Sequence, residues 1–313
     1  MGDVMSAVVN TLLPIFALIF IGFLFRKLNF LGENSASELN RFVVWLCLPA
    51  LLFKATASAN YADLWQPEFI LVITIPMMLV FAATLVYRKL CKVATADASI
   101  DGLSAAYANF GYVGIPLCLL VFGEEGLQPA LISTLLVVCV LFSVAVVCIE
   151  IAIQNEASFI LAVKKVALAL IKNPLVVSPF LGIFWNTTQI GVAPSVLQFL
   201  TLLGSATTPC ALVSLGLFLA HKQPKAVSGT ASIVFIKLII HPIIAWVLAF
   251  HVFKLPDLWA KSAVLLSALP TGTGPYMLAE FYRRDAALVS RSVLFSTLGS
   301  VVTLSVLLLL FAD

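Results

Sequence analysis

Charge is what this sequence has least of. Asp, Glu, Lys and Arg make up 11% of its 313 residues, less than half of the roughly 25% usual in soluble domains, so the chain cannot cover a water-facing surface with charge. Histidine occurs three times, and the six cysteines (Cys47, Cys91, Cys118, Cys139, Cys148 and Cys210) lie in or beside apolar runs without the paired spacing of a metal site. They are expected as small packing residues, with no disulfide, no metal and no cofactor. The apolar stretches also lack paired aspartates, a His/Cys metal set and a Ser–His arrangement, the machinery that an intramembrane protease or lipid-modifying enzyme would need. "GTG" at 272–274 follows no soluble strand and is no nucleotide loop. No enzyme, no catalytic residue and no nucleic-acid partner is expected.

What is present is hydrocarbon-loving sequence, 62% hydrophobic with a mean hydropathy of +1.10. The expected class is an all-α membrane protein whose partner is the lipid bilayer. The first apolar stretch, Val4 to Phe25, is too long for a signal-peptide core and has no basic residue ahead of it, so it reads as a retained span. Ten candidate spans follow from hydropathy: 5–25, 40–58, 67–87, 100–121, 128–151, 174–190, 195–220, 228–252, 259–281 and 286–311, each near the ~20 residues needed to cross hydrocarbon. Between the fifth and sixth, "ASFILAVKKVALALIKNP" spaces apolar residues helically around Lys164, Lys165 and Lys172, which suits a helix lying on the interface. The expected organisation is a first five-helix repeat over 1–156, a linker helix over 157–173 and a second repeat over 174–313.

Basic residues set the orientation. The odd-numbered connections and the span ends beside them hold Arg26, Lys27, Arg41, Arg88, Lys89, Lys92, Lys164, Lys165, Lys172, Lys222, Lys225, Arg283, Arg284 and Arg291, which is 14 of the 18. The positive-inside rule places these loops in the cytoplasm and both termini outside, with a plasma membrane, the bacterial inner membrane, as the location.

Two spans are interrupted. The fourth carries Gly111, Gly114 and Pro116, and the ninth carries Pro270, Gly272, Gly274 and Pro275. Each is fourth in its set of five. "LPALLF" in span two and "TPCALVSL" in span seven, with Pro76 in span three and Pro242 in span eight, extend the correspondence. Five spans is an odd number, so the second set must enter from the opposite side as an inverted repeat. Matched Gly/Pro interruptions point to a midplane site, where unwound backbone lines a cavity. With a second half-helix expected to start near Pro116 and near Pro275, two positive helix ends face the midplane and an anion is the natural guest. Asn109, Thr271 and Thr273 can add neutral hydrogen bonds; Tyr112 and Tyr276 either wall the pocket or pack on neighbours.

These residues carry a resemblance. "NFGYVGIPL" (Asn109 to Leu117), "ALPTGTGPYMLAEFY" (Ala268 to Tyr282) and "LNRFVVWLCLPALLF" (Leu39 to Phe53) resemble the fourth-, ninth- and second-helix signatures of the auxin efflux carrier family. The resemblance implies ten helices in two inverted five-helix repeats, with broken helices four and nine crossing at the midplane. It also implies a scaffold domain and a transport domain each built from both repeats, elevator-type movement of a small organic anion, and a homodimer through the scaffold helices. Asn109, Pro116 and Pro275 match the family's substrate-binding positions, and Gly114 and Gly272 fall in the same motifs. Two departures stand out. The long hydrophilic segment of the plant exporters is only about twenty residues here, as in a prokaryotic-type member, and the third-span stretch "FILVITIPMMLVFAAT" has none of their charged residues.

Coupling has few candidates. Lys237 lies about ten residues into span eight and His241 one helical turn later on the same face. They attract the anion and sense protons, or Lys237 donates to unwound carbonyls of the crossing and locks the fold. Glu280, near Arg283 and Arg284, is expected in a solvated ion pair, and Arg41 as an interfacial anchor. The function expected is a carrier of a small organic anion, a mono- or dicarboxylate, with export favoured. The alternatives are a sodium- or proton-coupled importer and an anion channel.

Overall fold

A computed structural model describes residues 2–59, 65–153, 159–221 and 227–312. The domain boundary near 156 and the loop lysines Lys222 and Lys225 lie outside the described residues. The helices are α1 (Gly2–Lys27), α2 (Ser35–Ala57), α3 (Pro67–Leu90), α4 (Thr95–Ala106), α5 (110–122), α6 (127–153), α7 (Phe159–Lys172), α8 (Pro174–Thr187), α9 (Pro194–Leu219), α10 (Thr230–Val252), α11 (Asp257–Ser267), α12 (Gly274–Phe281) and α13 (Ala287–Ala312).

Among the described residues, seven helical runs are long and apolar enough to cross a bilayer, and up to eight if Val166–Lys172 and Pro174–Thr187, bent by 67°, form one span. The difference from ten has physical causes. Phe110–Ile153 is counted as one run of 44 residues, yet the chain turns within it. Gly123 has φ +66°, and a Cβ on Gly126 would come within 2.4 Å of the Cys118 carbonyl oxygen. Eight residues along a straight helix span about 12 Å, so α5 and α6 fold back on each other. The two interrupted spans escape a length test because α4, α11 and α12 have 12, 11 and 8 residues.

Prolines are accommodated by widening the turn ahead of them. The N–H groups of Leu48, Ile115 and His241 reach back five residues, to Val43, Phe110 and Ile236, and each is followed by proline: Pro49, Pro116 and Pro242. A proline ring clashes with the carbonyl four residues earlier, and a π-type turn relieves that clash without ending the helix. Pro116 therefore sits inside α5. The half-helix starts at Phe110 with Asn109 as its cap, which corrects the expectation of a start near Pro116. At the other break α12 starts at Gly274 with Pro275 in its first turn, as expected.

The helices pack in two groups. In one, α1 lies on α9 and α2 on α8. These contacts are backbone-close because they are made at glycine: a Cβ on Gly216 would meet the Ile19 carbonyl oxygen at 1.9 Å, and one on Gly182 would meet Thr56 Oγ1 at 2.0 Å. In the other, α3, α4, α6, α10, α11 and α13 pack on one another; α5 meets α6 and α11 there and α1 and α9 of the first group, and α12 meets α4 and α13. Some buried hydroxyls in this group bond back to their own helices, as Ser104 Oγ does to the Ile100 carbonyl and Thr297 Oγ1 to that of Val293, whereas those of Thr84, Ser133 and Ser262 have no partner among the described residues. Large apolar side chains such as Phe20, Trp45, Phe184 and Leu202 are exposed on the outside, the surface that lipid rather than water would cover. On α7, Ile160, Leu168 and Ile171 are likewise exposed.

Candidate functional site

The two breaks meet. Ala108 and Thr271 pair as an antiparallel bridge, with the Asn109 N–H donating to the Pro270 carbonyl at 3.0 Å and the Gly272 N–H to that of Tyr107 at 3.0 Å. Interrupting a helix frees main-chain groups that hydrocarbon cannot satisfy, and here each break satisfies the other.

Asn109 does three things at the first break. Its carbonyl accepts from the Val113 and Gly114 N–H groups, at 3.1 and 3.0 Å, and its Oδ1 accepts from the Tyr112 N–H at 3.3 Å, capping α5. Its Nδ2, on a residue only 5% exposed, has no partner among the described residues. A buried amide without an acceptor costs roughly 1–3 kcal/mol, and Asn109 is one of the residues that line a cavity of about 170 Å³. Among the described residues, Thr134, Asn173 and Thr273 are the other polar side chains of its wall besides the tyrosines, Val44, Leu48, Val138 and Phe142 are among the apolar ones, and no Lys, Arg, Asp or Glu lines it. The N–H groups of Gly111 and Gly274, in the first turns of α5 and α12, find no backbone acceptor among the described residues, and both glycines line the same cavity. Helix starts leave such groups open and make the site attractive to negative charge.

Tyr112, Thr273 and Met277 separate this cavity from a second one of about 220 Å³, which Asn40, Ser214, Tyr276 and His221 help to line. The Tyr112 hydroxyl donates to Asn40 Oδ1 on α2, tying the two helix groups together beside the site. His221 lies just beyond the end of α9, where partial burial, helped by Arg26 and opposed by Glu33, lowers its pKa. Tyr276 packs edge-on against Phe218 with ring centroids 4.8 Å apart.

Other residues singled out in the sequence serve the frame. Thr271, fully buried, receives nothing from the cavity: its Oγ1 donates to the Ser104 carbonyl at 2.9 Å and its N–H to Ser296 Oγ at 3.0 Å. Lys237 is also fully buried, with Nζ donating to the Ser267 carbonyl at 2.7 Å and lying 3.1 Å from His241 Nδ1. A cation at the C-terminal end of α11 faces the negative end of that helix and one of its open carbonyls. Neither Lys237 nor His241 lines either cavity. Gly114 lets α5 approach Leu266 and Leu269 of the second break, and Pro116 and Pro275 are buried away from both cavities. Glu280 is exposed, and its expected partner Arg284 instead makes a two-pronged ion pair with Asp97, at 2.6 and 2.5 Å. Arg41 is exposed beside Glu38, at 3.6 Å.

Sequence reading missed Tyr107 and Asn40. Tyr107 explains two of the glycines, since a Cβ on Gly272 would stand 2.9 Å, and one on Gly274 2.6 Å, from its ring. Its position directly ahead of the interrupted stretch was the available signal. Asn40, a lone amide in an apolar span, gave a weaker one.

Comparison with known proteins bears on what this site serves. A family model described as "Membrane transport protein" matches residues 7–308. A protein of Rhizobium meliloti named "Putative malonate transporter" is 29% identical over 311 residues, 98% of this chain and 96% of that one. An "Uncharacterized transporter" of Methanothermobacter thermautotrophicus is 28% identical, covering 94% and 95%. "Auxin efflux carrier component 7" of Arabidopsis thaliana is 29% identical over 137 residues, 41% of this chain and 22% of that protein. With a match over nearly its whole length, the chain belongs to the membrane transport protein family that includes the auxin efflux carriers.

Proposed function

We propose that this protein is a secondary carrier of a small organic anion, a carboxylate, whose negative group is held where the two breaks meet. The observation that carries the reading is the buried, unpartnered Asn109 Nδ2 at a cavity onto which two helix starts open. Among the described residues every donor there is neutral, so in this reading the anion is held by amides and helix ends rather than by a counter-ion. The name of the Rhizobium relative supports a carboxylate.

The packing supports a ten-helix arrangement in two inverted repeats. Exchanging the halves turns the α1–α9 contact into the α8–α2 contact, and these are two of the most extensive helix pairs in the molecule. In this reading α1, α2, α8 and α9 are the scaffold, the group around α5 and α12 moves across it as an elevator, and scaffold helices pair two copies. The concentration of 14 of the 18 basic residues in or beside the odd connections supports a reading in which those loops face the cytoplasm of the bacterial inner membrane and both termini face outside. An inside-negative potential drives an anion outward at ~2.3 kcal/mol per charge per 100 mV, which favours export.

The test is a thermal-shift screen of mono- and dicarboxylates on the purified protein, followed by affinity measurements on Asn109→Ala with the acid that stabilises most. Loss of one neutral hydrogen bond, about 0.5–1.5 kcal/mol, should weaken binding roughly 2- to 12-fold. An affinity unchanged in a folded variant would make the crossing architecture rather than site.

A further inference from the structure

Helices α10 and α13 part along a groove of about 640 Å³ that none of the transport chemistry uses. Arg291 and Thr230 stand at one end of it, and Phe235, Leu238, Ile239 and Phe295 lie along it. On α13 the lining residues Arg291, Phe295, Gly299 and Thr303 recur every four positions, one stripe of about 18 Å, close to the ~15 Å depth of one leaflet's hydrocarbon. The groove runs on into a neighbouring space of about 400 Å³ that shares Leu238, Ile239 and Thr303 and reaches Trp246 and Leu310. Phe235 and Phe295 are exposed at 56% and 41%, so the groove opens sideways, away from the crossing cavity, with which it shares no residue.

We propose that this seam binds one anionic phospholipid, its phosphate on Arg291 and an acyl chain along the apolar stripe. The guanidinium carbon of Arg291 lies 5.1 Å from the centre of the Phe295 ring. Stacking uses the face of a guanidinium, whereas phosphate is recognised through its N–H edge, so the two contacts are compatible. Charge selects the lipid. Arg291 lies in the second turn of α13, at the same end as Arg283 and Arg284 of the preceding loop, the end that the positive-inside rule assigns to the leaflet richest in anionic lipid. A soluble anion would gain nothing from the apolar length of the groove.

The occupant would touch the supports of the second break. Leu238 in the groove follows Lys237, which holds the Ser267 carbonyl, and Phe295 precedes Ser296, which accepts the Thr271 N–H. A lipid filling the seam braces both.

The experiment compares melting temperatures of the full-length protein in detergent with dioleoyl phosphatidylglycerol or dioleoyl phosphatidylcholine added. The anionic lipid should raise the midpoint by about 2–4 °C more than the zwitterionic one. Arg291→Gln should remove that difference and Arg291→Lys should keep part of it. Ala231→Trp, which fills the groove from an exposed position, should abolish the increments from both lipids and carries the test alone if Arg291→Gln fails to fold. Equal increments from the two lipids, a preference surviving in Arg291→Gln or in Ala231→Trp, or the same increment from soluble glycerol phosphate would overturn the proposal.

Discussion

The two breaks match in sequence position but differ in chemistry. At the second, side chains tie the break to other helices: Thr271 bonds Ser104 and Ser296 on α4 and α13, and Lys237 reaches from α10 to the last carbonyl of α11, while the spare polar atoms nearby, Ser267 Oγ and His241 Nε2, belong to residues that line neither cavity. At the first, a single residue caps its own helix and has a donor left over, the Nδ2 of Asn109. One break is held from outside while the other keeps an unspent hydrogen bond beside a cavity. The pair teaches that symmetry of architecture does not require symmetry of role, and it separates residues whose loss should unfold the crossing from those whose loss should empty it.

The largest effect should come from Lys237→Gln. It removes a charge-assisted hydrogen bond at a helix C-terminus inside hydrocarbon, about 1.5–3 kcal/mol, and leaves the Ser267 carbonyl without that donor. A clear drop in melting temperature is expected, with affinity for the best-binding acid retained by the folded fraction. A stable variant that binds weakly would move Lys237 from the frame to the site and erase the contrast between the breaks. Thr271→Val comes next. It keeps the shape and removes the donor to Ser104, a loss of about 1–2 kcal/mol in stability with affinity unchanged, read by the same two measurements.

Much of this contrast was legible in the sequence. Two interrupted spans at matching positions predicted that the breaks meet where unwound backbone lines a cavity, and the antiparallel bridge between Ala108 and Thr271 brings them together. The helix start at Asn109 was not legible. Proline favours a first turn statistically, but a preceding π-type turn lets Pro116 sit inside a helix, and nothing local announces that turn. Which polar residue is spent and which is spare was hidden as well. The partner of the Thr271 hydroxyl is 167 positions away in sequence and that of Tyr112 is 72, so only the packed fold decides. Gly272 and Gly274 read as interruptions of a span; in the fold their missing Cβ atoms make room for the Tyr107 ring.

A sharper probe of the first break is Asn109→Asp. A carboxylate oxygen can still accept from the Tyr112 N–H and suits a helix N-terminus, so stability should hold within about 1 kcal/mol. The spare donor, however, becomes an acceptor that repels an anion. Affinity should fall about tenfold or more, further than in Asn109→Ala, where the site is only left short of a donor. If Asp and Ala weaken binding equally, Asn109 shapes the cavity and does not touch the negative group.

The smallest effect, and the one that probes how the first break connects to the rest of the molecule, belongs to Tyr112→Phe. The ring that separates the two cavities stays, while the hydrogen bond to Asn40 on α2 goes. One neutral hydrogen bond is worth about 0.5–1.5 kcal/mol, and water or a neighbouring hydroxyl in the second cavity can recover part of it, so melting temperature should barely change. If the group around α5 slides over the group containing α2, that bond must break in every cycle, and its removal should change the transport rate several-fold without changing affinity. Asn40→Ala removes the same bond from the other side. In proteoliposomes the two single variants should alter the rate alike, and the double variant should go no further than either one, since the bond can be lost only once. Additive effects would mean that Tyr112 and Asn40 act separately, and that the first break is tied to α2 by packing rather than by this hydrogen bond.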